Sequence, residues 1–421
     1  MVADARENQP TYLRNFMFVL FFAFGGVTSL NDVVIPKLKG LFTLSYGEVM
    51  LVQSAFFAAY FFVSLPAAEL IRRIGYMRSA AVGLLTMTVG CLLFVPGSYK
   101  AQFGLFLLAL FVLASGITVV QVVANPLIAG LGPPASASSR LTFAQFFNSL
   151  GTTIFPYVGS ILILGSIATV DPTTLADGAL SAFRSAETRI IVRTYLGLAL
   201  ALLILSGLVW ALRRRLIELP AQPVSVLRAF NLLGRPRLAF GTLCIFLYVG
   251  AEVAIGSVIV NYLMQGNVLG LSAEAAGKHV PFYWGGAMIG RFFGAYLLRV
   301  IQPGKVLACA GAAIITLLVI SANSRGIVSA SALLSVGLFN SIMFPTIFCL
   351  ACGGLAKRVP EASGLLCMAI VGGAFIPLLT GHAADLWGLK PALMIPAACY
   401  FCILLYGIVF RGAVTVARVD D

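Results

Sequence analysis

The chain has 421 residues, of which 60% are hydrophobic and only 10% charged, and its formal net charge is +13 at pH 7. A water-soluble domain carries roughly 25% charged residues, so the apolar excess excludes a single soluble core and points to a polytopic membrane protein. The positive charge sits at the ends of apolar runs and in the loops between them, which argues against nucleic acid as the partner.

A helix that crosses a bilayer needs about 20 mostly apolar residues. In chain order, runs of this kind are read at 14–36, 47–71, 77–96, 102–131, 141–167, 190–212, 238–265, 277–299, 304–323, 327–354, 363–386 and 391–411, which makes twelve. Asp4 and Glu7 precede the first run, and no short apolar core with a small-residue cleavage site follows, so the run is read as a retained span and not a signal peptide. With the N-terminus inside, cytoplasmic segments and span ends hold 19 of the 28 Lys and Arg residues. That is the positive-inside bias, and an even number of spans then puts both termini in the cytoplasm. The densest cluster (Arg213, Arg214, Arg215, Arg228, Arg235, Arg237) falls in the central loop, where it suits the headgroups of the lipid bilayer.

This pattern predicts an all-α membrane protein of two six-helix bundles. The N-terminal bundle is read at 1–212, a cytoplasmic basic linker at 213–237, and the C-terminal bundle at 238–421. Internal similarity supports a duplication. FFAFGGVTSLND (Phe21 to Asp32) lies over FLYVGAEVAIGS (Phe246 to Ser257), and QVVANP (Gln121 to Pro126) lies over NSIMFP (Asn340 to Pro345). Span five, with Pro156, lies over span eleven, with Pro377. Parallel six-span repeats mark a large class of secondary transporters, whose substrate site lies near the bilayer midplane.

Ionisable residues within spans are costly and are candidate sites by default. Two acids qualify: Asp32, next to Asn31 in the outer part of span one, and Glu252, near the middle of span seven. Burial in low dielectric favours a neutral carboxyl, which a proton carrier needs during one crossing. Neutral amides follow the same spans. Gln53 is the polar residue of span two; Gln121 and Asn125 share one face of span four beside Pro126; Gln145 and Asn148 share a face of span five. Asn261 lies further along span seven, and Asn340 in span ten matches Gln121. A carboxamide offers donors and an acceptor together, which is what a ring of hydroxyls demands. Tyr283 and Trp284 in span eight add rings that can pack against the C–H face of a sugar, and Arg291 on the same span is read as a snorkelling or gating residue. His279 and His382 rank below Asp32 as titrating groups.

The chain carries no GxxxxGK[ST], HExxH or GxSxG pattern. It is therefore read as neither an ATPase nor any other enzyme, with no metal and no cofactor. Its eight cysteines all lie in apolar spans and are read as packing residues.

SLNDVVIP, VVANPLIAGLG, RLTFAQFFNSLGT, YVGAEVAIGSVIVNYL, GRFFG, NSIMFPTIF and GLLCMAIVGGAFIPLLTG stand in this order along nearly the whole chain. Together they resemble the fucose:proton symporter family of the major facilitator superfamily, and within it the bacterial glucose/galactose transporter branch. The resemblance implies pseudo-twofold bundles, alternating access and proton-coupled uptake of a hexose across the bacterial inner membrane. It also implies a coupling role for Asp32 and sugar contacts for Gln145 and Asn148. The fucose branch has a glutamate where this chain has Gln121, so a two-carboxylate relay at those positions is absent. Asp32 then works alone, Glu252 contributes, or sodium replaces the proton. The reading is a monomeric, proton-coupled glucose or galactose symporter with a monosaccharide as its cargo. Its alternatives are the same fold moving fucose, N-acetylglucosamine or another solute, and a sugar sensor without transport.

Overall fold

Each of the twelve expected spans is largely helical where the structure describes it. The computed structural model describes residues 11–42, 46–100, 102–159, 177–213, 226–355 and 358–410. Within these, only the backbone is described at 11–13, 30–42, 46–53, 98–100, 159, 177, 179–188, 190–191, 226–227 and 273–274. The first helices are α1 (Thr11–Phe42), α2 (Tyr46–Ile74), α3 (Tyr76–Lys100), α4 (Phe103–Gly130), α5 (Ala137–Gly159) and α6 (Asp177–Leu212). After the turn Val226–Gly234 come α7 (Pro236–Met264), α8 (Val280–Val300), α9 (Pro303–Asn323) and α10 (Gly326–Asn340). The chain ends with α11 (Met343–Cys352), α12 (Val359–Met368), α13 (Gly372–Trp387) and α14 (Met394–Val409).

Two expected spans are interrupted. The run at 327–354 is divided into α10 and α11 at Ser341 and Ile342. Pro345 explains the position, because proline lacks the N–H that would bond the carbonyl four residues earlier and its ring crowds that carbonyl. The run at 363–386 is divided into α12 and α13 by a 3-10 turn at Ala369–Val371. Each divided pair still makes one crossing length, Gly326–Cys352 and Val359–Trp387.

Nine stretches among the described residues are helical, long and apolar enough to cross a membrane. Helices α5 and α8 fall outside that set although both exceed 20 residues. The reason is composition: α5 carries Arg140, Gln145, Asn148 and several hydroxyls, and α8 carries Arg291 and Arg299. A helix that faced only lipid would have no use for these groups.

Contacts sort the described residues into two units, one of 11–125 and 147–213, the other of 126–146 and 226–410. The second unit thus takes in the end of α4 and the start of α5 along with the C-terminal helices. Hydrogen bonds account for this: Ser139 Oγ donates to the Ala295 carbonyl at 2.5 Å, and Arg291 Nη1 donates to the Gln145 carbonyl at 3.3 Å.

Each unit packs its helices in the same pairs. In the first, α1 lies on α5 and α3 on α6. Phe18 stacks on Phe147 at 4.7 Å, Phe94 stacks on Tyr195 at 3.8 Å, and Ser206 Oγ bonds the Ala81 carbonyl at 3.1 Å. In the second, α7 lies on α13 and α9 on α14. The closest approaches repeat as well. A Cβ at Gly25 would meet Asn148, and one at Gly151 would meet the Phe22 carbonyl. At the matching places, a Cβ at Gly250 would meet Ile376, and one at Gly372 would meet the Phe246 carbonyl. Small residues let helix backbones touch, which supplies the van der Waals contact that holds helices together in lipid.

Gly372→Ala is therefore expected to destabilise the protein by about 1–3 kcal/mol through overpacking. Gly207→Ala, at a site with nothing within 4 Å, is expected to leave stability unchanged. Thermal denaturation in detergent, followed by loss of the monodisperse peak, checks both.

Candidate functional site

Polar groups on the helices are either spent on neighbouring helices or left partly open. In the first unit, Gln121 on α4 is half-buried, and its Oε1 accepts a hydrogen bond from the Tyr60 hydroxyl of α2 at 2.9 Å. That bond orients the amide by its oxygen and leaves the NH2 group as the free end. Asn125, one turn further along the same face, is completely buried. On α5, Asn148 is half-buried and its Nδ2 makes a long bond of 3.4 Å to the Phe21 carbonyl of α1. Gln121 and Asn148 are thus half-buried amides of this unit that keep part of their surface open. Asn31, Asp32 and Gln53 fall on α1 and α2, and their side chains lie outside the described residues.

In the second unit, a chain of hydrogen bonds ties three helices to α7. Tyr400 on α14 donates to Asn340 Oδ1 at 2.6 Å. Asn340 Nδ2 donates to the Tyr283 hydroxyl at 2.7 Å, and that hydroxyl donates onward to the Glu252 carbonyl at 3.4 Å. Tyr283, Asn340 and Tyr400 are each 0% exposed. A tyrosine has one proton to give, and Tyr283 gives it to the backbone. The expectation that Asn340 and Tyr283 present hydrogen bonds to a ligand is therefore not met in this arrangement. They instead join α8, α10 and α14 to α7 from behind.

What this network leaves open is Glu252 and Trp284. The Glu252 side chain is half-buried, lies one turn after Tyr248 on α7, and feels the charge of Arg291 of α8. Trp284 is 45% exposed, and its ring stands edge-on to Tyr283 with centroids 5.1 Å apart. Gln145 is buried, with its main-chain oxygen held by Arg291. Arg291 itself is engaged by a carbonyl as well as by charge, which fits a gating residue better than a snorkelling one. Asn261 is exposed, but nine residues beyond Glu252 places it about half a helical turn around α7, on the opposite face. It does not join the other candidates.

Sequence reasoning missed Tyr60, Tyr248 and Tyr400. Each is a phenol within an apolar run, and a buried phenol needs a partner for its hydroxyl. That was the available signal. Among the described residues, no group of three or more His, Cys, Asp or Glu side chains could hold a metal ion. The open groups are a carboxylate, two amides and an indole. These bind and orient hydroxyls and pack on C–H faces; nothing among them supplies an activated nucleophile.

The family model described as Major Facilitator Superfamily matches residues 16–369. A glucose/galactose transporter of Brucella abortus is 45% identical over 391 residues, covering 93% of this chain and 92% of the relative. The L-fucose-proton symporter of Escherichia coli is 32% identical over 397 residues, covering 92% of this chain and 90% of the relative. A crystal structure of the E. coli fucose:proton symporter superposes with a TM-score of 0.85 at 28% identity, covering 96% of this chain and 99% of that one.

Tyr60→Phe removes the donor to Gln121 and is expected to cost about 0.5–1.5 kcal/mol of stability. In the double variant Tyr60→Phe/Gln121→Leu, where neither partner is left unmatched, most of that loss is expected to be recovered. Thermal midpoints of the single and double variants check the coupling.

Proposed function

Since the chain belongs to the Major Facilitator Superfamily, we propose that it is a proton-coupled hexose symporter that takes up glucose or galactose by alternating access. It is a multi-pass membrane transporter and not an enzyme. We place it in the bacterial inner membrane as a monomer, with both termini cytoplasmic. Its halves are 1–212 and 238–421, joined by the basic linker 213–237.

The observation that carries this reading is the kind of polar group left open. Gln121 and Asn148 in one unit, and Glu252 beside Trp284 in the other, are neutral or singly charged hydrogen-bonding groups on helices of crossing length. Such a set matches hydroxyls, and the named substrates of the two relatives are sugars. Asn31, Gln53, Asn125 and Gln145 are assigned to the recognition of the same hydroxyls. Tyr283 and Asn340 are assigned to support. Asp32 carries the coupling proton: it is the acid of the span-one motif, and the fourth helix offers Gln121 and Asn125 but no carboxyl group.

Purified protein in proteoliposomes is expected to accumulate labelled glucose or galactose when an inward pH gradient is imposed. Asp32→Asn is expected to abolish that accumulation while sparing exchange of sugar at equal concentrations. Uphill uptake that survives Asp32→Asn overturns the coupling role. Accumulation that follows an imposed sodium gradient and ignores the pH gradient overturns the choice of proton.

A further inference from the structure

Trp284 rests on a bare stretch of backbone. The residue beneath its indole is Gly256, where a Cβ would stand 3.3 Å from the ring's Cζ2. Gly256 lies four residues after Glu252, so both present the same face of α7. The indole of α8 therefore lies over the face from which the Glu252 side chain projects, one turn away. A separation of 3.3 Å is tighter than an ordinary contact, so a Cβ at 256 shifts the ring by a few tenths of an ångström.

Behind this pair sits the buried amide of Asn340. It bonds Tyr400 through its oxygen and Tyr283 through its nitrogen, at 2.6 and 2.7 Å. Tyr283 precedes Trp284 in the chain and reaches the Glu252 carbonyl through its hydroxyl. The amide thus fixes α8 against α7 at the level of both open groups. The main chain of Glu252 is thus held by Tyr283, and Tyr248 lies one turn before it on α7.

We infer that Gly256 and Asn340 are positioning residues that set a sugar-facing edge made of the Glu252 carboxylate and the Trp284 indole. Gly256 admits the ring and Asn340 locks the helix that carries it. The carboxylate accepts from two neighbouring hydroxyls of a pyranose, while the indole covers the C–H face beside them. This assignment rests on the hexose reading above and deepens it. Neither residue touches the sugar; each acts through Trp284 or Tyr283.

The test uses the full chain carrying Trp210→Phe and Trp387→Phe, which leaves Trp284 as its sole tryptophan. Adding Gly256→Ala is expected to shift the emission maximum of Trp284 without sugar present. In proteoliposomes the same change is expected to raise the half-saturation concentration for glucose or galactose about tenfold while turnover changes little. Tyr400→Phe, which removes one bond to Asn340 and keeps the fold, is expected to raise half-saturation in the same direction. A purely structural role would lower the yield of folded protein and leave half-saturation per folded molecule unmoved. Unchanged Trp284 emission in Gly256→Ala, or unchanged half-saturation in both variants, overturns the inference. If the unsubstituted chain moves no hexose, the transport reading itself fails, whereas the emission comparison needs no sugar and still decides whether Gly256 seats the ring.

Discussion

A polar atom within a bilayer has no water to turn to, so the protein must supply its partner or keep it beside a wet space. Most of the polar side chains described here obey the first alternative. Tyr262 on α7 reaches Ser321 and Ser329 at 2.8 Å, and hydroxyls of Thr118, Thr88 and Ser115 return to carbonyls of their own helices. Tyr400, Asn340 and Tyr283 satisfy one another in series. Against this background, Gln121, Asn148 and Glu252 stand out because they remain half-buried although each already meets a group of the protein. The assignment of function follows from that contrast.

The second constraint is close packing of backbones. Glycines at 25 and 151 in one half, and at 250 and 372 in the other, bring the first and fifth helices of each half into contact. These positions agree with the sequence repeat, and the tyrosine–amide pairs Tyr60–Gln121 and Tyr283–Asn340 echo it. The halves then diverge in use. Gln121 is held at one end and keeps the other open, whereas Asn340 is held at both and disappears into the interior. The two scaffolds are similar, and the side chains placed on them differ in which hydrogen-bonding ends they spend.

The helices themselves were legible because a bilayer imposes a length and a composition that soluble folds do not. The polar candidates were legible as well, since a lone amide in an apolar run is conspicuous. What the linear pattern does not reveal is which end of each amide is spent. Asn340 looked like Gln121 by alignment, but Tyr400, 60 residues later, closes its second end. Asn261 looked like a continuation of Glu252 along α7, yet helical geometry turns it to the far face. Gly256 carried no signal at all, because its role is the absence of an atom under a ring from another helix. The break after Asn340 was implicit in Pro345 and its effect on the carbonyl of Ser341.

The central claim is that the open polar groups on these helices recognise the hydroxyls of a sugar. Equilibrium binding of glucose or galactose to the purified protein in detergent, measured by calorimetry, tests it directly. The account predicts saturable binding that disappears with Glu252→Leu and persists with Asn261→Leu, a change of the same kind on the opposite face of α7. Binding that survives the loss of Glu252, or that fails with Asn261→Leu instead, would contradict it.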